Sequence, residues 1–121
     1  MANQERRVAK RVKDEELLLK IIMGGFDTST HTLNISSSGL YCKVDKDMPL
    51  MSRVKLMLMI PDVVKSDREA KGIEVEGVVV RAHPVIISGE VKHYDVAIFF
   101  DSLEPRTKEL ISNYISRKNA A

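Results

Sequence analysis

Cysteine occurs once, tryptophan not at all, and aromatic residues make up only 5% of the 121 positions. A lone thiol, Cys42, allows no intramolecular disulfide and fits a reducing, cytoplasmic setting. The shortage of aromatics counts against a single-strand nucleic-acid binder, which stacks successive bases on aromatic rings. No apolar run approaches the roughly 20 residues of a membrane span, so no membrane insertion is expected. No secretory leader is legible, because Lys13 to Glu16 interrupt the chain before the short Leu17–Met23 run. Repeats and low-complexity stretches are absent as well.

Catalytic and metal-binding constellations are equally scarce. His31, His83 and His93 fall on separate segments with neither i, i+4 spacing nor a cysteine pair, so no metal site is expected. Asp62, Asp67 and Glu69 lie in a charged run, Lys65 to Lys71, with no accompanying base or nucleophile; this reads as a solvated loop. No catalytic residue is assigned, and the chain is not read as an enzyme. The formal net charge of +2 is too small to mark a polyanion binder by itself, but the charge is unevenly placed. Between Glu5 and Lys13 stand Arg6, Arg7, Lys10, Arg11 and Lys13 against Glu5 alone, a local anion site in prospect.

The remaining pattern is that of one small all-β domain closed by a helix. Leu17 to Met23, Phe26 to Ile35, Leu40 to Val44, Met51 to Ile60, Ile73 to His83 and Val91 to Phe100 read as six strands. Met51 to Ile60 alternates cleanly, with Val54, Leu56, Leu58 and Ile60 on one face, and Pro61 stops it. Turns are marked by Gly24-Gly25, by Ser36 to Gly39 and by Ser88-Gly89. Six short strands close most economically into an antiparallel barrel, which removes exposed edges. After Pro105 the period turns helical through Leu110, Ile111, Tyr114 and Ile115, which predicts a C-terminal helix ending near Arg117. Its apolar stripe must cover an open end of the barrel or a partner subunit in a homodimer.

Two short constellations stand outside the core pattern. One is Arg7-Val-Ala-Lys-Arg11; the other is Asn34-Ile-Ser36-Ser-Ser-Gly39, which starts 23 positions after Arg11. In types, order and spacing they resemble the PilZ domain family, marked by Arg-x-x-x-Arg followed by Asp/Asn-x-Ser-x-x-Gly. The strand order and final helix follow the family too, so the resemblance covers almost the whole chain. Lys10, where proline is frequent, and Ser52 and Ala97, where glycine is frequent, depart from its pattern. The resemblance implies a basic arm over residues 1–14, then a six-stranded antiparallel PilZ-like barrel with its C-terminal helix over residues 15–121. It further implies a receptor for cyclic di-GMP, bound at the barrel mouth by Arg6, Arg7, Arg11, Asn34, Ser36 and Gly39. A flexible arm would become ordered on binding and signal to an effector protein in motility, exopolysaccharide or biofilm control.

Residue chemistry agrees with that ligand. Cyclic di-GMP offers phosphodiester anions and guanine O6/N7 acceptors, and a guanidinium fork pairs bidentately with either. Arg7 and Arg11 share one side of a helical turn but stand about 13 Å apart in an extended arm. Asn34 donates and accepts, the Ser36 hydroxyl does either, and Gly39 permits a positive φ or a close backbone approach. Two other functions compete: a nucleic-acid-binding small barrel that uses the arm as a phosphate clamp, and an adaptor of the same family that works without a nucleotide. A steep salt dependence with an oligonucleotide distinguishes the first; loss of the motif arginines would mark the second, and they are intact here.

Overall fold

The computed structural model describes residues 12–13, 17–61 and 70–120. Its strands are β1 (Val12–Lys13), β2 (Leu18–Met23), β3 (Phe26–Ser36), β4 (Gly39–Val44), β5 (Arg53–Pro61), β6 (Ala70–Ile87) and β7 (Glu90–Phe100), followed by helix α1 (Pro105–Ala120). All pairings are antiparallel, in the order β3-β2-β5-β6-β7-β4, and a β3–β4 pairing returns to the start. β2 to β7 thus form the six-stranded closed barrel expected from the strand spacing. β1 lies beside the second half of β3, on the edge that β2 occupies further back.

Alternation builds the wall. Val54, Leu56, Leu58 and Ile60 of β5 are buried, as are Leu17, Leu19 and Ile21 around β2, while Arg53 and Lys55 face water. Burying each such aliphatic stabilises the fold by about 1.5–3 kcal/mol. Register shifts at Leu33 of β3, Val80 of β6 and Lys92 of β7 add local twist of the kind that lets a sheet curl shut. Met48, from the connection between β4 and β5, is also buried in the core. Helix α1 packs on β1, β3 and β5 and buries Ile111, Tyr114 and Ile115 in the same core, so its stripe covers the barrel. Arg53, at the start of β5, pairs with Asp101 just after β7.

Several element boundaries differ from the sequence reading. Strand β6 runs on to Ile87 instead of ending at His83, although Pro84 lies inside it. The reason is local: β5 pairs only with Ala70–Val78, so Pro84 sits where β6 has an open edge and its missing N–H breaks no ladder. Pro61 and Ala70–Lys71 belong to paired strands, which shortens the charged loop; residues 62–69 lie outside the described part. Val12 and Lys13, within the span assigned to the arm, already pair with β3. The helix extends three residues past Arg117, with Arg117 and Lys118 in its last turn, where cations suit the helix dipole.

Candidate functional site

Asn34, Ser36 and Gly39 close the β3–β4 hairpin. Ser36 is paired with Gly39, so Ser37 and Ser38 form a two-residue turn, and neither has a positive φ. Primed turns, which need positive φ, match strand twist best. Here the turn is held instead by side chains. The Ser36 hydroxyl oxygen accepts the Ser38 N–H at 3.1 Å, lies 3.1 Å from Ser38 Oγ, and reaches the Gly39 carbonyl at 3.4 Å. Ser36 is 0% exposed, so its hydroxyl shapes the turn from within.

Gly39 has a reason of its own. A Cβ there would stand 2.4 Å from the Ile98 carbonyl oxygen and 3.3 Å from Phe99 Cα, so only glycine lets β4 approach β7 this closely. Its φ is not positive; the close approach is to the neighbouring strand. The Ser38 carbonyl then accepts the Phe100 N–H at 2.9 Å and ties the turn to β7.

Asn34 is half-buried and alternates with the buried Ile35, which puts it on the outer face of the wall. Its neighbours are Tyr41 on β4 and Lys13 on β1, while Val12 pairs with Ile35. Paired residues on adjacent strands have Cα atoms about 5 Å apart. The two motifs, separated in sequence, are therefore linked through β1: the residue that follows Arg11 lies one strand from the residue that follows Asn34. Arg6, Arg7 and Arg11 themselves lie outside the described residues.

Two neighbours were not singled out in the sequence. Tyr41 faces Asn34 across the hairpin, and Phe99, paired with Gly39, is 50% exposed. In the sequence Phe99 reads only as part of an apolar strand; the signal for it is alternation, since Ile98 and Phe100 on either side are buried. Further along β7, His93 Nε2 lies 3.2 Å from Asp95 Oδ1, and His83 is paired with Asp95 across β6. Among the described residues no group of three His, Cys, Asp or Glu could hold a metal ion. Cys42 is buried opposite Val96, and burial, then the nearby Asp95 carboxylate, push its thiol up from 9.0 to about 12. It is a neutral core residue and no nucleophile.

Comparison with solved structures finds this barrel repeatedly. The Bacillus subtilis inhibitor of motility MotI/DgrA aligns with a TM-score of 0.77 at 18% identity, over 95% of this chain and 52% of that one. The K. pneumonia MrkH–c-di-GMP complex aligns with a TM-score of 0.75 at 14% identity, over 95% and 53%. The PilZ domain with c-di-GMP of YcgR from Escherichia coli aligns with a TM-score of 0.68 at 10% identity, over 95% and 92%. The chain spans about half the length of MotI/DgrA and MrkH. At these identities the likeness is one of fold. A search of curated proteins finds no match. No helix among the described residues is long and apolar enough to cross a membrane. The PilZ domain family, however, matches residues 5–117, a span that contains both motifs, every strand and nearly all of α1, and the chain belongs to that family.

Proposed function

We propose that this chain is a cyclic di-GMP receptor domain. Arg6, Arg7 and Arg11 take the phosphodiester and guanine acceptor atoms, and Asn34 hydrogen-bonds the ligand from the outer wall. Ser36 and Gly39 set the shape of the turn against which the ligand rests. The carrying observation is the pairing of Val12–Lys13 with Ile35–Asn34, which keeps the C-terminal end of the basic segment beside the Asn-x-Ser-x-x-Gly hairpin. Family membership and the ligand named with the YcgR and MrkH structures support the same reading.

Binding would draw the arm over the ligand. Charge-assisted hydrogen bonds contribute about 1.5–3 kcal/mol each, whereas fixing backbone costs about 1–2 kcal/mol per residue, so several guanidinium contacts are needed at once. The arm joins β1, and α1 packs on β1, so a change at the ligand lies next to a helix that an effector protein can read. Nothing in this scheme requires catalysis; the output is a changed surface, recognised by a partner in motility, exopolysaccharide or biofilm control.

The test is calorimetric titration of the chain with cyclic di-GMP. A dissociation constant of about 1 μM or tighter is expected for the wild type, with binding lost in Arg11→Ala. No binding at about 0.1 mM ligand, or unaltered binding by Arg11→Ala, overturns the reading.

A further inference from the structure

We infer that Phe99 is the stacking platform for a guanine base of the ligand, a specificity and affinity determinant on the strand next to the motif hairpin. The inference rests on the receptor reading above and extends the site from β3–β4 onto β7. Register supplies the geometry. Ser36, Gly39 and Phe99 occupy consecutive strands at one level of the wall, with Ser36 paired to Gly39 and Gly39 to Phe99. Strands lie about 4.8 Å apart, so roughly 10 Å separates the motif serine from the phenylalanine backbone. The residue between them is glycine and raises no side chain between the turn and the ring.

The turn and the ring are also fastened together, because the Ser38 carbonyl accepts the N–H of Phe100, the residue after Phe99. Apolar packing does not account for the ring's position. Ile98 and Phe100 enter the core, whereas Phe99 remains 50% exposed. Its neighbour on the far side is the buried Val78 of β6, and two residues further along that strand the bulged Val80 is exposed. A flat aromatic face beside the motif turn suits a purine: the ring takes the π-face, while Asn34 on the same outer wall takes the polar edge. Stacking on an aromatic side chain is tolerant of base identity. Phe99 therefore supplies affinity for a purine, and the polar groups select guanine.

The experiment uses the full chain and cyclic di-GMP, with circular dichroism and thermal melting to verify folding of each variant. Phe99→Ala is expected to weaken binding about tenfold or more, and Phe99→Leu, which keeps apolar bulk without a ring, to fall between it and the wild type. Because the chain has no tryptophan, Phe99→Trp introduces one reporter at the site, and its emission is expected to change on ligand addition while affinity is retained. If the wild type binds and Arg11→Ala does not, yet Phe99→Ala binds within twofold of wild type, the platform is wrong and the receptor reading stands. If the wild type does not bind at all, both are wrong.

Discussion

Cys42 and Ser36 show how little a polar or reactive atom says until its surroundings are known. Both lie in or beside the motif hairpin, both are fully buried, and both are occupied by the fold: one as a core thiol, the other as a brace across its own turn. For Cys42 the consequence is a pH dependence with a definite sign. Below 9.0 the folded and unfolded chains both carry a neutral thiol, so its contribution to stability is fully present. Between 9.0 and about 12 the unfolded chain gives up the proton while the folded chain keeps it. Stability then falls with rising pH by up to about 1.4 kcal/mol per unit. Guanidinium melts at about pH 8 and pH 10.5 are expected to show the wild type losing about 2 kcal/mol more than Cys42→Ala between the two conditions. Equal losses would show that the thiol ionises in the folded chain as readily as in the unfolded one.

Among the elements, the β6–β7 hairpin departs most from what local residues announce. Beyond Pro84 on β6 and before Tyr94 on β7 each strand has only the other as a partner, so this end of the ribbon runs past the closed wall and carries Ile86, Ile87 and Val91 exposed. Its turn is Ser88-Gly89 with φ of 55° and 83°, the two positive values of a type I′ turn. Glycine accepts such a value freely; serine is there at a cost of about 1 kcal/mol. Ser88→Asn, which suits the left-handed region, is expected to raise stability by about 0.5–1 kcal/mol and the melting temperature by a few degrees. An unchanged or lower melting temperature would mean that the turn is not held in this geometry. Pro84 misleads a reader of the sequence for a related reason: proline forbids a central strand, and whether a strand is central is a fact about its neighbours.

The whole molecule is a closed sheet, and closure depends on contacts that no local pattern encodes. Gly39 and Gly77 flank Ile98 from the strands on either side of β7; a Cβ on Gly77 would meet Ile98 Cγ2 at 2.6 Å, and one on Gly39 the Ile98 carbonyl at 2.4 Å. Backbone cannot turn aside as a side chain can. Gly39→Ala is expected to cost about 2–3 kcal/mol in chemical denaturation. Gly25→Ala, where nothing lies within 4 Å, should stay within about 0.5 kcal/mol. Comparable losses at both positions would remove the close-approach explanation. Closure also gives the motif hairpin its second neighbour, because β4 is fixed between β3 and β7 and the turn is tied to the residue after Phe99.

The six barrel strands, the alternating core, the C-terminal helix and the family all follow from the chain itself, because period and motif spacing are local properties that hydrophobic burial makes decisive. Val54, Leu56, Leu58 and Ile60 had to face inward, and Arg-x-x-x-Arg with Asn-x-Ser-x-x-Gly could be read without coordinates. What only folding settled is adjacency: that Lys13 lies against Asn34, that Gly39 serves the approach of β7, that Ser36 is spent inside its turn, and that Phe99 borders the motif. Adjacency between strands far apart in sequence is set by register around a closed barrel, and register arises from the simultaneous fit of all six strands.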